Sequence, residues 1–312
     1  MEGALTVARL QESITRHLRL PLIAAPMLLV SGPDLVIAAS RAGAIGSFPT
    51  KNCRTVDELE RWLARMQEET EGHAPFAPNL IVHKTNTRLD DDTRLVEKYR
   101  PAMVITSVGS PAPVMDRLHA AGVVVFADVA SMRHVERAIE AGVDGLILLT
   151  AGAGGQTGWA NPFAFVRAVR AVFDGPVVLA GGVADGVALN AAIALGCDLA
   201  YMGTRFIATR ESLAPDRYKE MLVGCTLDDI VLSRALTGLE TNLLRPSVES
   251  AGMDPTLVGT LDAGAGAGIT ANAPRRWKDI WSAGHTVSQV NDIPSVADLV
   301  DRIAAEYAAA RR

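Results

Sequence analysis

Three glycine turns close successive apolar runs between residues 147 and 204, and their spacing suits an anion. They are TAGAGGQTG at 150–158, AGG at 180–182 and MGT at 202–204. Glycine lets backbone N–H groups approach a ligand with no Cβ in the way, and a helix that follows adds the positive end of its dipole. Gly181 and Gly182, with Gly203 and Thr204 on the next strand end, predict a phosphate cradle. A single Gly-Gly pair would be no more than a tight turn, whereas two such turns on neighbouring strands carry the prediction.

The other strand exits offer an apolar wall and a few polar groups. In PLIAAPM at 21–27 two prolines fix a short strand and its exit, presenting Ala25 and Met27 at the mouth as an apolar wall for an aromatic ring, although Met27 alone would read as core. NLIVHKT at 79–85 offers the Asn79 amide and then His83, a type that at a strand end is more often solvated than catalytic. FAD at 126–128 ends on Asp128, which reads equally as a partner for a ligand's donors or as a helix N-cap. GGQTG at 154–158 reads as a flexible loop in which Gln156 hangs an amide, neither acid nor base, over the site.

Positioning these groups requires a scaffold with all the strand exits on one side. Apolar runs at 22–25, 44–48, 79–82, 103–106, 123–127, 145–149, 177–179 and 199–202 alternate with helical patterns at 34–42, 56–69, 91–99, 112–120, 132–141, 162–172 and 185–195. Glycines 43, 122, 142 and 196 supply the stops after four of these helices. Continuous apolar strands alternating with helices imply a parallel sheet covered on both faces, and eight units favour a closed (β/α)8 TIM barrel, an α/β fold, over an open sheet. In such a barrel ligands sit at the C-terminal strand ends, with phosphate after strands seven and eight. The pattern breaks after residue 210, with helical stretches expected at 215–222 and 228–234 and a closing helix at 295–309. The LDAGAGAGI run at 261–269 reads as a surface loop or as a lid with hinge glycines. The expected division is a barrel from 1–215 and 281–312 with a small, mainly helical substrate domain at 216–280.

Composition narrows the class. A chain of 312 residues, 49% hydrophobic, can bury a large core, and its net charge of −5 argues against nucleic acid as a partner. Three scattered cysteines suggest a reducing compartment and no structural metal. Charged residues interrupt 1–20, and no uncharged apolar stretch approaches the roughly 20 residues of a membrane helix. The expectation is a cytoplasmic protein acting on a small molecule, away from membranes, with a homodimer left open.

Together these residues resemble the nitronate monooxygenase family, once called 2-nitropropane dioxygenases, which includes FMN-dependent quinone and enoyl reductases. The matching motifs are PLIAAPM at 21–27, GVD at 142–144 with GGQTG at 154–158, AGGVADG at 180–186, LGCD at 195–198, YMGTRF at 201–206, ATRE at 208–211 and WSAG at 281–284. They run in family order over nearly the whole chain, and the combination is specific where each piece is not. The resemblance implies FMN, with its phosphate on Gly181, Gly182, Gly203 and Thr204. Its ring would lie against Ala25, Pro26 and Met27, with Asn79 and Asp128 near the polar edge or ribityl chain and Gly155 close by.

Two positions depart from the family. Gln156 stands where nitronate monooxygenases carry a histidine that acts as or beside the catalytic base, and a glutamine can only orient by hydrogen bonding. Asp128 stands where relatives commonly carry a lysine. His285, after WSAG, and His83 are the candidates to supply the missing acid/base function, and hydride transfer between cofactors would need none. The expected activity is FMN-dependent oxidation of a nitronate or related small organic substrate with oxygen. The alternatives are an NAD(P)H-dependent quinone or enoyl reductase, with NADH or NADPH visiting the FMN face transiently, a non-catalytic flavin carrier, and a non-flavin barrel enzyme for another phosphorylated ligand.

Overall fold

The computed structural model describes residues 9–236, 238–260 and 278–312. Eight parallel strands close into a barrel: β1 (Leu22–Ala24), β2 (Ile45–Pro49), β3 (Phe76–Ile81), β4 (Met103–Ser107), β5 (Val124–Val129), β6 (Gly145–Leu149), β8 (Val177–Ala180) and β9 (Leu199–Met202). Closure is made by β1 against β9, with Leu22 opposite Ala200 and Ala24 opposite Met202. A two-residue strand, β7 (Gly155–Gln156), lies outside the barrel, in the loop between β6 and β8.

Strand alternation sends one set of side chains into the lumen and the other against the helices. The lumen is filled by Ile23, Ile45, Ala77, Met103, Ile105, Phe126, Ile147, Val178, Leu199 and Tyr201. The outer set packs with helices α2 (Pro33–Ala42), α3 (Val56–Glu69), α4 (Leu89–Tyr99), α5 (Ala112–Ala120), α6 (Met132–Glu140), α7 (Pro162–Arg170) and α8 (Gly186–Leu195), while α13 (Val296–Ala310) closes the ring against α2 and α8; a short α1 (Glu12–Thr15) precedes β1. Thr55, Ser131, Asp185 and Ser295 cap the first turns of α3, α6, α8 and α13 through their side chains. The four glycines expected to stop helices have positive φ: 89° at Gly43, 77° at Gly122, 81° at Gly142 and 115° at Gly196. Below the lumen, Asp198 is buried; it accepts from the Val177 N–H at 2.9 Å and pairs with the Arg170 guanidinium.

After β9 come α9 (Thr204–Ile207), α10 (Asp216–Gly224), β10 (Ile230–Ser233), β11 (Thr241–Leu244), α11 (Arg245–Ser250) and α12 (Pro255–Thr260). The helix expected at 228–234 does not form: a 3-10 turn at Leu227–Asp229 leads into β10. Ile230, Val231 and Leu232 instead pair antiparallel with Leu244, Leu243 and Asn242, as apolar and β-branched residues favour. The hairpin continues through β11 onto β7, with Thr241 opposite Gln156 and Asn242 opposite Gly155. The 154–158 segment is therefore held in a sheet and is not the free loop its glycines suggest. The glycine-alanine run at 261–269 lies outside the described residues. No described helix is long and apolar enough to cross a membrane.

Candidate active site

The C-terminal ends of the barrel strands surround a cavity of about 430 Å³. Its floor is made by inward-facing residues near the C-terminal ends of successive strands: Asn79 from β3, Ser107 from β4, Asp128 from β5, Leu149 from β6, Ala180 from β8 and Tyr201 from β9. One wall is Ala25, Pro26 and Met27, on a loop held from outside. Asn52 Nδ2 donates to the carbonyls of Met27 at 3.0 Å and Ser31 at 2.7 Å, and its Oδ1 accepts from the Leu29 N–H at 2.8 Å. On another side Tyr218 and Trp281 stack with centroids 4.9 Å apart and planes 10° apart.

The two glycine turns lie together on the cavity rim. Gly181 and Gly182 adopt φ of 114° and 77°, conformations that favour glycine. A Cβ on Gly181 would come within 2.7 Å of Thr150 Oγ1 and 3.0 Å of the Ala153 nitrogen, whereas one on Gly182 would point into open space. Among the described residues, no acceptor engages the N–H groups of Gly182, Val183 or Thr204. Thr204 Oγ1 accepts from the Gly284 N–H at 2.9 Å, which leaves its own proton free to donate. Unpaired backbone donors lining a cavity call for an acceptor, and the described lining residues include no lysine or arginine. An anion bound here is held by neutral donors.

Gly154 and Gly284 let the returning 281–285 segment press on the β6 exit, since a Cβ on Gly284 would meet the Gly152 carbonyl oxygen at 2.6 Å. Asn242 Nδ2, buried, donates to the Ala153 carbonyl at 2.8 Å and ties the hairpin to the same turn. Gln156 is half-buried, lines the cavity and is fixed in β7.

Thirteen residues were expected at the site, and twelve line the cavity: Ala25, Pro26, Met27, Asn79, His83, Asp128, Gly155, Gln156, Gly181, Gly182, Gly203 and Thr204. His285 does not. It sits exposed at the start of a 3-10 turn, its N–H donating to the Gly152 carbonyl at 2.9 Å, and packs over Gly152 on the outer side of the 281–285 segment. His83 is on the exposed rim, with Nδ1 2.8 Å from Thr85 Oγ1. The Asn79 amide is engaged within the protein, donating to Ser107 Oγ at 3.0 Å.

Asp128 is not a helix cap, because Ser131 fills that role for α6. Its Oδ1 is buried with no hydrogen-bond partner, and burial pushes its pKa up to about 7. The Tyr201 hydroxyl is likewise buried and unpartnered, and burial followed by the nearby Asp128 charge raises its pKa. Tyr201 is a site residue outside the sequence expectations, although strand alternation places it on the same face as Gly203, two residues on. Tyr218 and Trp281 come from segments remote in sequence, with no local pattern to mark them. Burial raises the Cys53 and Cys197 thiols to about 12 and the Cys225 thiol as well, so none is a ready nucleophile near neutral pH. No cluster of three metal-ligating side chains occurs among the described residues.

Comparison with known proteins gives concordant matches. The family model described as Nitronate monooxygenase matches residues 88–306. A nitronate monooxygenase of Pseudomonas aeruginosa is 30% identical, over 70% of this chain and 74% of its own. A Rhodococcus jostii (3aS,4S,5R,7aS)-5-hydroxy-7a-methyl-1-oxo-octahydro-1H-indene-4-carboxyl-CoA dehydrogenase is 27% identical over 92% of each chain. Among solved structures, FabK from Thermotoga maritima superimposes with a TM-score of 0.77 at 26% identity, covering 94% of both chains. A nitroalkane oxidase from Streptomyces ansochromogenes shares the fold with a TM-score of 0.83 at 23% identity, covering 96% of this chain and 99% of its own.

Proposed function

Since the chain belongs to the nitronate monooxygenase family and is an oxidoreductase, we propose that it binds FMN at the barrel mouth and oxidises a nitronate or a related small organic substrate with oxygen. The carrying observation is the pair of glycine turns with unpaired N–H groups beside an apolar wall. Gly181, Gly182, Val183, Gly203 and Thr204 receive the phosphate. Ala25, Pro26 and Met27 take the flat face of the ring, with Gly155 allowing close approach. These residues fit the group: the donors suit a phosphate and the wall suits an aromatic ring. When bound, FMN would supply the redox chemistry between the substrate and oxygen.

The remaining residues orient and shield. A nitronate is the conjugate base of a nitroalkane, so its oxidation requires no proton acceptor, and an amide at position 156 is compatible with it. Gln156, fixed by its pairing with Thr241, directs its amide toward the substrate's oxygens. Tyr218 and Trp281 cover one flank and exclude water, and His83 stands at the rim for substrate contact. The described residues of the 216–280 segment form the outer part of the substrate site, through the hairpin that carries Thr241 and Asn242.

A second reading, NADH or NADPH as a transient reductant for a quinone or enoyl acceptor, is favoured by the same amide, because hydride transfer to FMN needs no protein base. Anaerobic addition of a nitronate, NADH or NADPH to the FMN-loaded protein separates the two, since the reagent that bleaches the flavin is the electron donor. Bleaching by NADH or NADPH and not by the nitronate would replace the first reading with the second.

A further inference from the structure

Asp128 leaves one carboxyl oxygen without a partner among the described residues. It ends the inward face of β5 at the cavity floor, and its Oδ1 is buried without a hydrogen-bond partner among the described residues. The Tyr201 hydroxyl across the lumen is orphaned in the same way. Unsatisfied buried polar groups are costly and are retained where a ligand or a reaction uses them.

We propose that Asp128 is the base that removes the α-proton when the substrate is a neutral nitroalkane, a role that the Gln156 amide cannot fill. This rests on the nitronate reading of the site. In the step the α-C–H bond breaks and the proton forms an O–H bond on the carboxylate of Asp128. The electron pair becomes the C=N bond of the nitronate, and the negative charge moves to the nitro oxygens. No oxidant takes part until the nitronate has formed.

The surroundings match the task. The flanking strands β4 and β6 bring no charged side chain, and the titratable groups lining the cavity besides Asp128 are His83 from the β3 exit, Tyr201 from β9 and Tyr218 from α10. With no cation to hold it ionised, the carboxyl has its pKa raised by burial to about 7, where a general base is most effective at neutral pH. Once protonated, the same group becomes a donor that can hydrogen-bond the nitronate oxygens it has helped to create. Gln156 can donate a hydrogen bond but cannot accept a proton, so the proton function moves from the β6 exit to β5.

The test compares a neutral nitroalkane, nitroethane, with its preformed nitronate. For wild type, kcat/KM on nitroethane is expected to rise about tenfold per pH unit and level off above about pH 7, whereas kcat/KM on the nitronate stays level or falls over the same range. Asp128→Asn should lose nitroethane turnover by at least about 100-fold, and turnover should return when the nitronate is supplied. Retained FMN content shows that the variant's barrel mouth is intact. Independently of activity, infrared difference spectra of the FMN-free protein should show a carboxyl titrating near pH 7 that is missing from Asp128→Asn. Undiminished nitroethane turnover by Asp128→Asn, or a carboxyl titrating in the ordinary aspartate range, overturns the proposal. If wild type oxidises the nitronate but not nitroethane, the base assignment fails and the nitronate reading stands; if it oxidises neither, both fail.

Discussion

Gly182→Ala, with Gly181→Ala as its control, separates binding from folding at the phosphate cradle. A methyl on Gly182 meets no protein atom within 4 Å, so its cost to the fold is confined to the φ of 77°, about 1–2 kcal/mol for an L-residue in the left-handed region. The same methyl occupies the open space in front of the unpaired N–H groups. Losing one hydrogen bond to a charged group costs about 1.5–3 kcal/mol, so the Kd for FMN should rise about 10- to 100-fold. Gly181→Ala combines a φ of 114° with contacts of 2.7 Å to Thr150 Oγ1 and 3.0 Å to the Ala153 nitrogen, so its main effect should be a lower melting temperature. Flavin fluorescence titration of the FMN-free proteins, repeated with riboflavin, reads the effect directly. Gly182→Ala should weaken FMN and leave riboflavin, which lacks the phosphate, nearly unchanged. Equal FMN affinities in wild type and Gly182→Ala, or equal losses for FMN and riboflavin, would refute a phosphate at this cradle.

Other substitutions probe the supports of the site. Asn242→Ala removes the 2.8 Å hydrogen bond to the Ala153 carbonyl and should cost about 1–3 kcal/mol in urea denaturation, with a several-fold higher substrate KM as the hairpin loosens from the glycine turn. Arg170→Ala strips the buried Asp198 of its buried cationic partner and should cost about 3–5 kcal/mol, seen as a lower urea midpoint at pH 7. Asp128 has its folded pKa raised from 3.8 to about 7, so the folded state binds the proton more tightly. The stability this contributes is full below about pH 4 and is lost as pH rises through about 7, a loss of up to about 4 kcal/mol. Asp128→Asn should therefore be the more stable protein at pH 8 in the FMN-free state, and its advantage should shrink toward pH 4; a difference that does not change with pH counts against the raised pKa.

The parts of the site legible in the sequence are those fixed by local chemistry. Glycines at 181 and 182 follow an apolar run because the backbone there takes a positive φ, and a period of two along each strand places Asn79 and Asp128 at the mouth. What escaped depends on contacts between distant segments. The β7 strand is two residues long and exists only because β11 pairs with it, so 154–158 looked free when it is tied to the hairpin. The 228–234 stretch carries no alternation to mark a strand, and its partner lies past a turn. His285 was placed near the ligand by its position after WSAG, but the close packing of Gly152, Gly154 and Gly284 turns its side chain outward. The state of Asp128 is set by what does not surround it, which a linear sequence does not display.

A flavin at the barrel mouth that a nitronate reduces is tested most directly by the visible spectrum of the purified protein reconstituted with FMN. The expected result is a yellow protein that retains its flavin through gel filtration, is bleached by a nitronate without oxygen and recovers its colour when air is admitted. A protein that stays colourless after reconstitution with FMN would contradict it.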